Sequence, residues 1–429
     1  MNRIVEPLQA PLRGKIAVPG DKSISHRSLL FSAIADGDSR IEGLLRSHDV
    51  QATRSCLTAL GVDIADSEDG AVVIRGGGVR GFGQPISSLD CVRSGTTMRL
   101  LAGLLAGRPF TSLLTGDRQL LCRPMARVVD PLKRMGAQIE SEDGRAPLLI
   151  HGTTLRGTEH ELTIASAQVK SALLLAGLTA EGPTTVTEPG PSRDHTERML
   201  AAMGADVRVE GRTIRIEPPR RLDAVDVAVP GDPSSAAFWL VAATIVPGSR
   251  LTVTGVSINR TRAGLVDVLR AMGASIELED VRDVAGERVA DLTVDASELV
   301  AGTIEGETVV RMIDEFPILA VAATQARGET IVRDAGELRK KESDRIAAVV
   351  RTLRRLGAQI EERPDGFVVD GPTRLSGGTV AGCDDHRLVM ALAVAALVAD
   401  GPVTIEGAER AEDSYPGFFE EMEQRRRAT

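Results

Sequence analysis

One unit is written six times along this chain, and no other feature narrows its fold as far. Each copy is an apolar run that reaches a glycine and continues as a short alternating run. The copies are SLLFSAIADGDSRIEGL, RLLAGLLAGRPFTSLLTG, ALLLAGLTAEGPTTVTEP, FWLVAATIVPGSRLTVTGV, ILAVAATQARGETIVRDA and MALAVAALVADGPVTIEGA, with glycines at Gly37, Gly107, Gly182, Gly248, Gly328 and Gly401. A second signature, Leu-x-x-[Met/Leu]-Gly-[Ala/Val]-x-[Ile/Val], recurs in phase from Leu57, Leu132, Leu200, Leu269 and Leu353, so five of the six units carry both halves.

Each unit therefore predicts helix, glycine stop, strand, second helix, glycine stop, strand and hairpin, with turns such as Glu68-Asp69-Gly70 and Pro364-Asp365-Gly366. The first helix of each unit is apolar nearly all round, which marks it as buried. An α/β fold with helices inside and sheets outside, an inside-out barrel, fits that pattern. A linear solenoid is the alternative, but solenoid repeats run to about 20–50 residues and these are longer and few. A chain of 429 residues also exceeds what one core holds, roughly 250–300 residues. Two lobes of three units each are expected. The candidate hinge Val229-Pro230-Gly231-Asp232 is echoed by Val18-Pro19-Gly20-Asp21. The predicted domains are therefore 21–229, and 1–20 plus 230–429.

Only 2% of the residues are aromatic, so Ala, Leu, Val and Ile must fill the core. A net charge of −9 disfavours nucleic acid or an anionic membrane as a partner while leaving room for a local basic cleft. The longest apolar stretch, Leu388 to Ala399, is too short to span a bilayer, and Met1 to Gly14 lacks the cationic and apolar regions of an export signal. A cytoplasmic location is expected. Cys56, Cys91, Cys122 and Cys383 form no CxxC pair and the six histidines no HExxH, so free thiols, no metal and no cofactor are expected.

The residues just before each apolar helix carry the chemistry. A helix start presents free N–H groups and partial positive charge, suited to anions. Those starts read Lys22-Ser-Ile-Ser-His-Arg27, Arg93-Ser-Gly-Thr-Thr97, Ser166-Ala-Gln168, Asp232-Pro-Ser-Ser235, Asp314-Glu-Phe-Pro317 and Asp384-Asp-His-Arg387. Loops after the strands add Arg118, Arg123, Arg193, Arg260, Arg262 and the run Arg339-Lys-Lys-Glu-Ser-Asp-Arg345. Lys22, Arg27, Arg123, Arg345 and Arg387 sit in turns at unit junctions and are read as functional. For Arg118, Arg260, Arg262 and Arg339 a solvated surface is an equal alternative. Among these cations stand Asp314, Glu315, Glu342 and Asp385. Asp314 and Glu342 occupy equivalent half-units and are candidates for proton transfer in both directions, with helix capping and pairing to Arg345 as their structural alternatives. The glycine run from Arg75 to Gly83 lacks a Gly-Lys-Ser/Thr ending and reads as a strand connection. His26, His195 and His386 read as supporting hydrogen-bond partners.

Val18-Pro-Gly-Asp-Lys-Ser-Ile-Ser-His-Arg27, Arg123-Pro-Met125, Ser166-Ala-Gln168, Arg193-Asp-His-Thr196, Asp314-Glu-Phe-Pro317, Lys341-Glu-Ser-Asp-Arg345 and Asp384-Asp-His-Arg387 stand in the order of the enolpyruvyl transferases. Over essentially its whole length the chain resembles that family, in its shikimate-pathway branch. The resemblance implies two inside-out α/β barrel lobes and transfer of enolpyruvyl from phosphoenolpyruvate to the 5-hydroxyl of shikimate 3-phosphate. It implies that Lys22, Ser23, Arg27, Ser166, Ala167, Gln168, Arg193, Asp314 and Lys341 hold shikimate 3-phosphate. Lys22, Gly95, Arg123, Gln168, Arg345 and Arg387 would hold phosphoenolpyruvate. Asp314 and Lys22 would serve the hydroxyl and Glu342 the C3 carbon. A monomer inhibited by glyphosate is expected. Two positions depart from the pattern: Val92-Arg93 stands where many relatives have Gly-Asn, and Asp413 where some have Lys. The alternatives are the sister branch acting on UDP-N-acetylglucosamine, and a silent anion-binding repeat protein. Against the first, the sister branch has Lys-Asn at Lys22-Ser23, and its reactive cysteine falls at Arg118.

Overall fold

Six helices are buried almost along their whole length, five of them rich in Ala, Leu and Val with hardly a polar face to offer water, and the first, richer in Ser, buried with its polar groups. They are α1 (Lys22–Ala33), α2 (Gly95–Ala106), α3 (Ala167–Gly177), α4 (Pro233–Ile245), α5 (Phe316–Thr324) and α6 (His386–Ala396). The computed structural model that gives this architecture describes residues 1–284 and 286–427. It divides the chain into two units, Lys22–Val229, and Met1–Asp21 with the segment from Pro230 onward.

Within Lys22–Val229 three four-stranded sheets repeat one topology. In two of them the strand before a buried helix lies parallel to the strand after it, as Leu89 against Leu114 across α2, because parallel neighbours need a crossover that a helix supplies. The next two strands return as a hairpin that extends the sheet in antiparallel fashion, Thr111 facing His151 and Gln138 facing His151 from the other side. At the tip of that hairpin Asp143 and Gly144 both have positive φ, 49° and 68°, the conformation a tight two-residue turn requires. α2 and α3 pack so closely that a Cβ on Gly103 would lie 2.1 Å from the carbonyl oxygen of Ala172.

The other unit holds two more such sheets and a three-stranded one in which Asn2–Val5 takes the third place beside Val403–Glu406. Here the sequence order is broken in an informative way. The strand that precedes α1, Arg13–Ala17, pairs not with the strand after α1 but with Arg250–Ser257, which follows α4. Reciprocally Val227–Ala228, which precedes α4, pairs with Asp36–Glu42, which follows α1. Two strands are thus exchanged where the chain passes from one unit to the other, and the break falls between Asp21 and Lys22.

Each unit has its own apolar cluster. Most of the buried aromatic side chains fall in the second: the chain's single Trp239 and single Tyr415 are hydrogen-bonded, Nε1 to OH at 3.0 Å, beside Phe238 and Phe418. The expected mixed α/β architecture with buried helices is present, while the six sheets are separate open sheets and none closes into a barrel among the described residues. The Arg75–Gly83 run is strand and connection: Val72–Gly77 is a strand, and a Cβ on Gly76 would lie 2.3 Å from the Ala35 carbonyl oxygen.

Candidate active site

None of the six buried helices carries an acidic residue in its first turn. Several carry cations near the start instead: Lys22 and Arg27 in α1, Arg99 in α2, Lys170 in α3 and Arg387 in α6. Positive charge opposes the dipole at that end, so each must be held by acids, hydrogen bonds or an anion. A local conflict repeated this often marks function rather than stability.

In Lys22–Val229, Lys22 Nζ donates to Asp49 Oδ2 at 3.1 Å, both side chains being about 15% exposed. Arg27 is buried and spreads its guanidinium over Thr196 Oγ1 (2.8 Å), Ser171 Oγ (2.7 Å) and the Ser23 carbonyl (3.0 Å). Arg193 Nη1 donates to Ser23 Oγ at 2.9 Å, which joins the loop before Thr196 to the first turn of α1. Ser166 stands at the N-cap position of α3 without a side-chain cap bond, and Ala167 and Gln168 lie in its first turn, half-buried. Gln168 Nε2 donates to Thr96 Oγ1 at 2.9 Å, and its Oε1 accepts from Arg99 Nη1. Arg99 Nη2 also reaches the Pro124 carbonyl at 3.3 Å, next to Arg123. Gly95 opens this group: a Cβ there would stand 2.8 Å from Arg99 Nη1 and 3.0 Å from Arg123 Nη1.

His26 lies beneath this surface. Burial first, then the charges of Lys22 and Arg27, push its pKa well below the ordinary value, so it stays neutral. Its Nδ1 is 2.7 Å from Thr53 Oγ1, which is 2.6 Å from Thr97 Oγ1, itself bonded to Ser94, the cap of α2. It is a supporting partner, as the sequence suggested.

In the other unit the cations and acids form one cluster around Arg345. This guanidinium is 1% exposed and donates to Asp385 (Nε to Oδ2, 2.8 Å), Glu342 (Nη2 to Oε2, 2.7 Å) and Asp314 (Nη1 to Oδ1, 3.2 Å). Burial alone would favour losing its proton, but Asp385, Glu342 and Asp314 together outweigh burial and raise its pKa. Asp314 also receives Lys341 Nζ at 3.3 Å and stands 3.7 Å from Arg387 Nη2. Asp385 caps α6 through the Arg387 amide at 3.0 Å. The two carboxylates picked out as an acid–base pair, Asp314 and Glu342, therefore meet on one guanidinium. Both remain partly exposed, at 14% and 19%, and so within reach of a small molecule.

Other sequence candidates separate. Arg339 is tied to Asp344, Glu362 and the Arg363 and Pro364 carbonyls, a structural role, and Arg118 and Arg260 are exposed. Arg262 is buried between Asp21 and Asp232. At the departures, Arg93 Nε donates to Gln119 Oε1 at 3.0 Å, and Asp413 is buried at the end of the 3-10 helix Ala408–Asp413. Sequence reasoning missed Arg99 and Lys170. Lys170 is 1% exposed and pairs with Glu188 Oε2 (2.8 Å) and Glu197 Oε1 (2.6 Å), bracing the helix that carries Thr196. A lone charge inside an otherwise apolar run was the available signal for both.

Residues 8–422 match the family described as EPSP synthase (3-phosphoshikimate 1-carboxyvinyltransferase). A 3-phosphoshikimate 1-carboxyvinyltransferase of Gloeobacter violaceus is 55% identical over 414 residues, covering 96% of both chains. One from Bacillus thuringiensis is 48% identical over 423 residues, 98% of both. Among solved structures, EPSP synthase from Acinetobacter baumannii superposes with a TM-score of 0.88 at 42% identity, covering 99% of this chain and 98% of that one. With repeat order, site motifs and full-length similarity in agreement, this chain belongs to the EPSP synthase family, the 3-phosphoshikimate 1-carboxyvinyltransferases.

Proposed function

We propose that the chain transfers the enolpyruvyl group of phosphoenolpyruvate to the 5-hydroxyl of shikimate 3-phosphate and releases phosphate, a step of aromatic amino acid biosynthesis. The observation that carries this is the meeting of Asp314, Glu342 and Asp385 on the buried guanidinium of Arg345, with Lys341 and Arg387 alongside. The two substrates bring two phosphates and two carboxylates, and forked guanidinium groups suit such oxygens.

Shikimate 3-phosphate is assigned to Lys22, Ser23, Arg27, Ser166, Ala167, Gln168, Arg193, Asp314 and Lys341. Phosphoenolpyruvate is assigned to Lys22, Gly95, Arg123, Gln168, Arg345 and Arg387, and Arg99 joins them through Gln168. Asp314 with Lys22 takes the proton of the 5-hydroxyl as its oxygen attacks C2. Glu342 delivers a proton to C3, giving a tetrahedral intermediate. Return of a C3 proton to Glu342 then expels phosphate. A carboxylate bonded to a guanidinium holds a proton poorly. An anionic substrate that takes over Arg345 would free Glu342 for that duty.

Each unit is read as an inside-out barrel of three repeats, 21–229 and 1–20 plus 230–429. The protein is read as a monomer in the cytoplasm, in keeping with the absence of any helix long and apolar enough to cross a membrane among the described residues. Phosphate release with the two substrates tests the reading, with UDP-N-acetylglucosamine as the alternative acceptor. Asp314→Asn and Glu342→Gln should each lower kcat about 10²- to 10⁴-fold. Near-normal turnover in either variant removes that residue from the mechanism.

A further inference from the structure

The two places where the chain passes between units are joined by a single buried side chain. Arg262, 3% exposed, donates from Nη1 to Asp21 Oδ2 at 2.9 Å and from Nη2 to Asp232 Oδ1 at 2.9 Å, and both carboxylates are buried. The backbone follows the same closure: the Asp21 amide donates to the Pro230 carbonyl at 2.7 Å and the Asp232 amide to the Pro19 carbonyl at 2.9 Å. Lys22 is the next residue after Asp21. Asp232 caps α4 through the Ser234 amide at 2.8 Å.

The chain of bonds does not stop there. Arg262 Nη2 also donates to Ser234 Oγ at 2.8 Å, and the Ser234 hydroxyl in turn donates to Glu315 Oε1. Glu315 is buried, precedes α5, and stands 4.0 Å from Arg387 Nη1. Arg387 and Asp314 are 3.7 Å apart, and Asp314 reaches Arg345. Donor and acceptor types fix the first two links, guanidinium to hydroxyl and hydroxyl to carboxylate, and the Glu315 carboxylate then faces the Arg387 guanidinium as an ion pair. A side chain needed only to neutralise two aspartates would not require the hydroxyl step.

We infer that Arg262 is a positioning residue for the transfer reaction, acting through Ser234 and Glu315 on Arg387 and Asp314. This rests on the roles proposed above for Asp314 and Arg387. Small misplacements of such groups are costly, up to about 10²-fold in rate, without loss of the fold.

The test is Ser234→Ala in the full-length protein, which cuts the path to Glu315 but leaves the Arg262–Asp21–Asp232 clamp. Turnover, melting temperature and calorimetric affinity for shikimate 3-phosphate alone are measured. The expected result is kcat lowered about 10- to 100-fold, with the melting temperature and that affinity, assigned chiefly to Lys22–Val229, unchanged within twofold. A kcat within twofold of the parent overturns the inference, as does a fall in affinity as large as the fall in kcat. Arg262→Lys is the second variant. It keeps one charge but not the fork that reaches Asp21, Asp232 and Ser234 together, so kcat should fall in it as well. Full turnover in a folded Arg262→Lys enzyme also overturns the inference. Asp314→Asn run in parallel separates the two ideas. Normal activity there removes the proposed role of Asp314, whereas an inactive Asp314→Asn beside a normal Ser234→Ala removes only the positioning path.

Discussion

Arg345 and Asp385 share two hydrogen bonds, Nε to Oδ2 at 2.8 Å and Nη2 to Oδ1 at 3.3 Å, with side chains 1% and 0% exposed. The same carboxylate caps α6, so one residue fixes the Arg345 guanidinium, proposed to bind phosphoenolpyruvate, and a helix start together. Removing one partner of a buried pair leaves a charge without compensation, at about 3–5 kcal/mol. Asp385→Ala is therefore expected to lose that much stability in urea titration and to raise KM for phosphoenolpyruvate. Stability within 1 kcal/mol of the parent would show that Glu342 and Asp314 suffice for Arg345.

A methyl at Gly95 must displace the Arg99 and Arg123 guanidiniums, since it would stand 2.8 and 3.0 Å from their Nη1 atoms. Overpacking of this size costs about 1–3 kcal/mol. Gly95→Ala should raise KM for phosphoenolpyruvate about tenfold or more and weaken inhibition by glyphosate, the family's inhibitor, while the affinity for shikimate 3-phosphate alone stays within twofold. Steady-state kinetics decide it, and an unchanged KM would mean that the arginines yield freely.

Val92 has φ of 50°, a left-handed conformation that a β-branched residue adopts only under strain. It is held there by its amide on Asp90 Oδ1 (2.8 Å) and its carbonyl under the Asp117 amide (2.7 Å). Val92→Gly removes a clash worth about 1–2 kcal/mol or more against an unfolded-chain entropy cost of about 0.5–1 kcal/mol. A net gain of about 1 kcal/mol in denaturant titration is expected, and a loss would refute the strain.

His160 is buried on the strand Glu159–Glu161, and neither ring nitrogen has a hydrogen-bond partner among the described residues. Burial, then the charge of Arg134, lower its pKa to about 4. Unfolded chain takes up a proton near the ordinary value of about 6.5 and the folded protein does not. Stability should therefore fall as pH drops from about 6.5 to about 4 and level off below. His26, shifted in the same direction, adds to the slope. His160→Leu should flatten part of that slope, read as melting temperature against pH. An identical slope would show that His160 is already able to protonate in the fold.

Much of this molecule is legible in local pattern. The six apolar runs became six buried helices because a helix without a polar face has nowhere else to go. The charged residues at their starts could be located from sequence spacing alone, although the dipole there opposes the cations among them. Two carboxylates singled out there, Asp314 and Glu342, do share one cation.

What the sequence determined by itself was periodicity: which segments are helix, where each begins, and that the unit recurs six times. Only the tertiary structure decided partners. Arg13–Ala17 joins Arg250–Ser257, and Arg262 reaches back 241 positions to Asp21. Arg99 and Lys170, silent charges within apolar runs, found Gln168 and a pair of glutamates in the same way. Spacing along a chain encodes the face of a helix, but pairing between distant segments depends on which surfaces remain to be buried once the helices have formed.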